Sequence, residues 1–232
     1  MQVLNLLKTF VMCAFLITSF KADAQDWANL KRYQDENAAL QTPTKKENRV
    51  VFMGNSITQG WKESRPEFFA NNPYICRGIG GQTSPQMLIR FKQDVVALQP
   101  KVVVILAGTN DIAGNTGLST LEMIMDNISS MAEIATANKI KVVLCSVLPA
   151  FDYPWRKGKE PNVKIPQLNA MIKSYCEAKG YTYLDYFSAM NDGNNGLKAE
   201  YTTDMVHCTV KGYELMESLV QPAIQKALKS KK

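Results

Sequence analysis

The run Val102-Val103-Val104-Ile105-Leu106, closed at once by Ala107-Gly108-Thr109-Asn110-Asp111, decides the fold class. A strand with one wet face alternates apolar and polar residues. A continuous apolar run rich in β-branched residues is a strand buried on both faces, as in a parallel sheet covered by helices. Similar runs recur on either side, at 50–53, 74–76, 141–145 and 181–186. Helical patterns lie between them. Ser84 followed by Pro85 opens a helix with Met87, Leu88, Phe91 and Val95 on one face. Ser119 and Glu122 read as a capping box for a helix whose apolar stripe is Leu121, Ile124, Met125, Ile128, Met131 and Ala135. Those methionines have core spacing and mark no cofactor. Residues 165–179 form another helix. A last one follows His207 on Leu215, Met216, Leu219, Ile224 and Leu228, with a bend at Pro222. Five strands alternating with helices predict a doubly wound α/β domain without internal repeats.

The chain has 232 residues, 46% hydrophobic and 21% charged, which suits one domain with a full core. Its net charge of +6 is spread over scattered residues, with small clusters at Lys45-Lys46, Arg156-Lys157-Lys159 and the C-terminus. No basic stripe interleaved with aromatics points to nucleic acid. Lys8, the apolar run 10–20 and Ala22-Asp23-Ala24 have the pattern of a secretory signal cut near Ala24. The run is short for a membrane span, so no stable span is expected in the mature protein. The expected organisation is therefore a signal at 1–24, a short polar helix and Pro/Lys linker within 25–48, and a catalytic domain at 49–232. Export permits disulfides among Cys76, Cys145, Cys176 and Cys208; three complete pairings are open, and Cys76 and Cys145 also read as buried thiols. There is no C-x-x-C, and neither a metal nor a cofactor is expected.

In such a sheet the ligand crevice lies at the carboxyl ends of the strands. Three polar turns follow strand ends here: one holding Ser56, one at 78–83 and one at 108–111. The chain has a single histidine, His207, three residues after Asp204. One imidazole offers one obvious general base near neutral pH, with an aspartate beside it to orient the ring and a strand-end serine as nucleophile. Each feature also has an ordinary structural reading. Ser56 fits a helix cap, His207 a capping histidine, Asn110 an Asx turn, and the glycines at 78–81 a tight connection. That glycine turn is not G-x-G-x-x-G, so dinucleotide binding is not indicated.

Together the blocks resemble the SGNH (GDSL-type) hydrolase family. Gly54-Asn55-Ser56-Ile57-Thr58 is similar to its first block, Arg77-Gly78-Ile79-Gly80-Gly81-Gln82-Thr83 to its second, Gly108-Thr109-Asn110-Asp111 to its third and Asp204-Met205-Val206-His207 to its last. The resemblance spans about 48–228. It implies a three-layer fold with a five-stranded parallel sheet in flavodoxin-like order 2-1-3-4-5. It further implies Ser56 as nucleophile, His207 as base and Asp204 as its orienting acid. The implied oxyanion donors are the Ser56 and Gly81 N–H groups and the Asn110 amide. Two departures stand out: Asn55 replaces the usual acid before the nucleophile, and Gln82 replaces an aspartate common in the second block. Cys208 occupies a place where the family often has proline; it is a poor nucleophile candidate, because it adjoins the only histidine.

The expected substrate is a short-chain, chiefly acetyl, ester on a carbohydrate. Trp61, Phe151, Trp155 and Arg156 are the candidate substrate contacts, the last three on a loop at 148–163. A lipid-directed lysophospholipase or thioesterase is the alternative, and a non-catalytic glycan-binding module a more distant one. An α/β-hydrolase shares the chain order Ser, Asp, His, but Ser56 is not in G-x-S-x-G. Oligomeric state is left open by the sequence.

Overall fold

The structure, a computed structural model, describes residues 25–230. The expected signal segment lies outside them. Five strands, β1 (Val50–Gly54), β2 (Tyr74–Gly78), β3 (Val102–Leu106), β4 (Lys141–Cys145) and β5 (Thr182–Leu184), form one sheet in the order β2-β1-β3-β4-β5. Every pairing is parallel. This is the doubly wound fold and strand order expected above. β1 and β3 are buried at all five positions, which explains their unbroken apolar sequence.

Period-two alternation splits those side chains between two cores. Val51, Met53, Val103, Ile105 and Leu144 face one layer, made by α4 (Ser84–Asp94), α6 (Leu121–Ala137) and α7 (Pro161–Lys179). Val50, Phe52, Val104, Val143 and Cys145 face the other. There they meet α2 (Ser56–Ser64), α3 (Pro66–Ala70), α8 (Tyr186–Met190) and α9 (Val210–Lys229). Among the described residues the remaining α-helices are α1 (Gln34–Ala39) and α5 (Thr109–Ala113). An aromatic cluster anchors the second core. Phe52 meets Trp61 edge-on at 5.5 Å, and Trp61 stacks on Phe68 at 5.2 Å and on Tyr213 at 5.9 Å.

Local structure departs from the sequence expectation in four places. The 26–40 segment is mostly turns, with helix only at Gln34–Ala39. The Asp26 carboxylate ties up the Leu30 and Lys31 N–H groups, and Asn29 is left-handed at φ 55°, which interrupts a helix. β5 stops at Leu184 because Asp185 caps α8 through the Ser188 N–H. The cap of α6 is Thr120, which accepts from the Met123 N–H, rather than a Ser119/Glu122 box. α7 starts at Pro161 instead of 165 and runs through Pro166. Pro166 has no N–H for the carbonyl of Asn162 one turn back, and the Asn195 side-chain amide supplies that hydrogen bond at 2.9 Å.

All four described cysteines are free. Cys76, Cys145 and Cys176 are fully buried. Among the described residues no helix is long and apolar enough to cross a membrane, and no group of acidic, histidine or cysteine side chains is placed to hold a metal ion.

Candidate active site

The β1 strand ends at Gly54, Asn55 caps α2 by accepting from the Ile57 N–H at 3.0 Å, and Ser56 is the first helical residue. A helix N-terminus leaves its first N–H groups unpaired and favours negative charge nearby. β2 ends against this turn at Gly78. A Cβ there would lie 2.3 Å from the Gln59 nitrogen and 2.8 Å from the Asn55 carbonyl oxygen, so the close approach requires glycine. The chain then runs through Ile79 and Gly80 to Gly81. The Gln59 side chain accepts from the Gly80 N–H at 2.8 Å, and Gly81 adopts the left-handed φ of 75° that glycine tolerates best.

At the far end of the chain, the block before α9 folds back onto Ser56. The Ser56 Oγ lies 2.9 Å from His207 Nε2, and His207 Nδ1 lies 2.6 Å from Asp204 Oδ2. The other carboxylate oxygen accepts from the His207 N–H at 2.7 Å and the Val206 N–H at 3.0 Å. Burial alone pushes the Asp204 carboxyl up, but hydrogen bonds from the His207 ring and from these two N–H groups outweigh it. They hold the carboxyl below the ordinary range. An ionised Asp204 can only accept, so Nδ1 carries the hydrogen and Nε2 is left to accept the Ser56 hydroxyl proton. The left-handed turn at Met205, φ 71°, lets one short block bring both carboxylate oxygens onto His207.

β3 supplies the third turn. Asn110 is buried, and its Nδ2 donates to the Gln82 carbonyl at 2.9 Å, which fixes the amide beside the second turn. Asn115 Nδ2 donates to the Gly81 carbonyl at 3.2 Å. With its carbonyl engaged from behind, the Gly81–Gln82 peptide is held in place. Among the described residues neither the Ser56 nor the Gly81 N–H has an acceptor. The turns that carry Ser56, Gly81 and Asn110 thus meet on one rim, as the fold-level argument anticipates.

Cys208 is excluded as a nucleophile by its surroundings. Burial, and then the nearby Asp204 charge, push its thiol up to about 12, and its Sγ packs 3.8 Å from Met216 Sδ.

The expected substrate contacts divide. Trp155 is 45% exposed and stacks on the His207 ring at a centroid distance of 6.2 Å, so it borders the site. Tyr153 backs it at 5.1 Å and is itself held by a 2.9 Å hydrogen bond to Thr109. Phe151 is exposed on the same loop. Arg156 reaches the Gly114 carbonyl at 2.6 Å. Trp61 requires correction. It is 2% exposed, its ring is enclosed by Phe52, Phe68 and Tyr213, and its Nε1 donates to Glu217 at 3.2 Å. It is a core side chain with no face open to substrate.

Sequence reading missed the buried polar network behind the rim. Arg90 is fully buried. It donates to Gln82 Oε1 at 2.6 Å, to Asp94 at 3.0 Å, and to the Gly54 and Arg77 carbonyls. The N-terminal segment locks onto the same region. Gln82 Nε2 donates to the Ala28 carbonyl, Gln86 to that of Trp27, and Tyr33 Oη to that of Gly78. The available signal was an Arg and an Asp four apart, immediately beside Phe91 and Val95 on the inner face of α4.

A hydrogen-bonded Ser, His, Asp chain on the carboxyl rim of a doubly wound sheet equips a protein as a carboxylic ester hydrolase. The GDSL-like Lipase/Acylhydrolase family profile matches residues 52–215, and the chain belongs to that family. Solved relatives span nearly the whole fold. A GDSL-like lipase from Bacteroides thetaiotaomicron is 53% identical, covering 86% of this chain and 98% of that one, with a TM-score of 0.84. A candidate acylhydrolase from Bacteroides fragilis is 50% identical, covering 89% and 100%, with a TM-score of 0.86. The uncharacterized lipoprotein YqeF of Bacillus subtilis is 33% identical over 86 residues, only 35% of either chain, so this chain matches about a third of that relative's length.

Proposed function

We propose that this protein is an exported serine esterase that removes short acyl groups, chiefly acetyl, from carbohydrate esters. The observation that carries this reading is the unbroken chain from Ser56 Oγ through His207 to Asp204, at 2.9 and 2.6 Å. In this reading Ser56 attacks the ester carbonyl and His207 takes its proton. Asp204 stabilises the imidazolium, and the Ser56 and Gly81 N–H groups with the Asn110 amide receive the oxyanion. His207 then protonates the departing alcohol, and water, deprotonated by His207, hydrolyses the acyl-enzyme. The second Nδ2 hydrogen of Asn110 is the one free for this, since the first is held by Gln82.

Trp155 offers exposed aromatic surface beside His207, and Phe151 is exposed on the same loop, which suits the apolar face of a sugar ring. His207 is itself 41% exposed, so the site is an open rim that suits an ester carried on a bulky glycan. The signal-like 1–24 segment supports export, leaving 25–48 as a segment that packs on the catalytic domain at 49–232. A panel of acetylated sugars, acetylated xylan, a long-chain ester and lysophospholipid tests the reading, with Ser56→Ala as control and fluorophosphonate labelling of Ser56 alongside. Acetate release from the sugars that disappears in Ser56→Ala is expected. Preference for the long-chain lipids would overturn the substrate, and equal turnover by Ser56→Ala would overturn the mechanism.

A further inference from the structure

A cavity of about 340 Å³ adjoins the rim between α5, the 114–120 loop and the start of α7. Arg156, Lys159 and Lys164 line it. Two of its walls connect directly to the site. Arg156 follows Trp155, which stacks on His207, and Gly114 precedes Asn115, which holds the Gly81 carbonyl. Two residues of the cavity wall are thus each one position in sequence from a side chain that packs on or holds the site.

Three cations line the cavity against one acid. Arg156 spends one N–H on the Gly114 carbonyl. Among the described residues neither Arg156 nor Lys159 has a carboxylate within 4.0 Å. Lys164 pairs with Glu160 at 3.4 Å, and the Glu160 carboxylate is largely exposed. Among the described residues the only acid lining the cavity is Asp111, whose two oxygens are taken by the Ser84 N–H and hydroxyl at 2.5–3.1 Å. Glu122, at the start of α6, is exposed to solvent. Two long helices also begin here: Leu121 opens α6 and Pro161 opens α7, and residues of both starts form or flank the walls. Their N-terminal ends add to the positive potential.

We propose that this cavity is an anion subsite that takes the carboxylate of an acidic sugar whose acetyl ester lies at Ser56. The inference rests on the esterase reading above and narrows its substrate to uronate-type glycans. A carboxylate entering the cavity meets the planar guanidinium of Arg156, which matches its two oxygens, with Lys159 beside it. The sugar ring then spans toward Trp155.

The test compares acetate release from three compounds: an acetylated methyl glucuronoside, its uncharged carboxamide, and an acetylated methyl glucoside 6-phosphate. The acid is expected to exceed the carboxamide by about ten- to a hundredfold in kcat/KM, mostly through KM, as one or two charge-assisted hydrogen bonds supply. In Arg156→Gln/Lys159→Gln that ratio should fall toward one, and Arg156→Lys should keep part of it. Rising salt should erode it in the wild type. Equal rates on acid and carboxamide would overturn the subsite and leave the esterase reading intact. So would a preference that survives the double substitution. Preference for the phosphate would replace carboxylate as its ligand. Absence of acetate from all three, with simple acetyl esters also untouched, would remove the esterase reading and this inference with it.

Discussion

Replacing Arg90 with methionine removes a guanidinium that serves four acceptors. Gln82 Oε1, an Asp94 oxygen, and the Gly54 and Arg77 carbonyls all lose a donor at once. The pair is dry: the side chains of Arg90 and Asp94 are 0% and 1% exposed. Burial pulls the guanidinium down, and its hydrogen bond and charge contact with Asp94 oppose that. Removing one partner of such a pair strands the other charge, which costs roughly 3–5 kcal/mol. For a domain of this size that corresponds to a drop in Tm of about 6–20 °C. The double substitution Arg90→Met/Asp94→Leu leaves no stranded charge and should recover much of the loss. The assay is thermal and urea unfolding of the wild type, both single variants and the double, read as a double-mutant cycle. Activity supplies a second readout. Arg90 fixes Gln82, which accepts from Asn110, so the single variant should also lose kcat on an acetyl ester below its unfolding temperature. If Arg90→Met unfolded within about 3 °C of wild type, the network would carry no such load. A double variant as unstable as the single would refute the stranded-charge account.

Three further outcomes follow from the same geometry. Asn110→Ala should lower kcat on an acetyl ester by about 10²–10³ while Ser56→Ala nearly abolishes turnover, measured with matched protein concentrations; equal losses would deny Asn110 a separate oxyanion role. Trp61→Ala should cost about 3–5 kcal/mol in urea unfolding, as for a buried aromatic, with KM on a sugar ester at permissive temperature close to wild type; a large rise in KM without lost stability would return Trp61 to the substrate contacts. Asp204 has a lowered folded-state value. Its contribution to stability is therefore present above the ordinary carboxylate range near pH 4 and is lost as pH falls through the lowered value. The stability gap between wild type and Asp204→Asn should close on acidification, followed by urea midpoints across that window.

The sheet was legible because buried parallel strands leave unbroken apolar runs, and 50–54 and 102–106 have them on every residue. The rim was legible because turns at strand ends concentrate chemistry, and one histidine left no competition for the base. Helix limits were less so. Pro166 reads as an early-turn proline in a helix starting at 165, and only the remote Asn195 amide explains how α7 extends back to Pro161. Trp61 is close to Ser56 in sequence but not in orientation. Five residues into a helix, it has rotated onto the face that packs on Phe52 and Tyr213. The support behind the rim was hidden for a similar reason: its contacts join residues 28, 82 and 90, and no local pattern announces such a pairing.

That support also accounts for Gln82, where the family often has an aspartate. Position 82 faces two unlike demands. The Arg90 guanidinium needs an acceptor, and the buried Ala28 carbonyl needs a donor. A carboxylate satisfies the first and cannot satisfy the second, and it would bring another negative charge toward Asp94 and the rim that carries Ser56. A neutral amide meets both with one side chain, at 2.6 and 2.8 Å. The same solution recurs around the rim. Gln59 holds Gly80, Asn110 holds the Gln82 carbonyl, Asn115 holds Gly81, and Asn55 caps α2. Each is an amide in a place where an acid would add negative charge near the helix end that must favour it. These side chains, which touch the backbone of the turns, are thus uncharged amides, and Asp204 is the acid in direct contact with His207. The departure at 82 is therefore coupled to the N-terminal segment: a residue that breaks the family pattern is among those that fasten 26–40 to the rim.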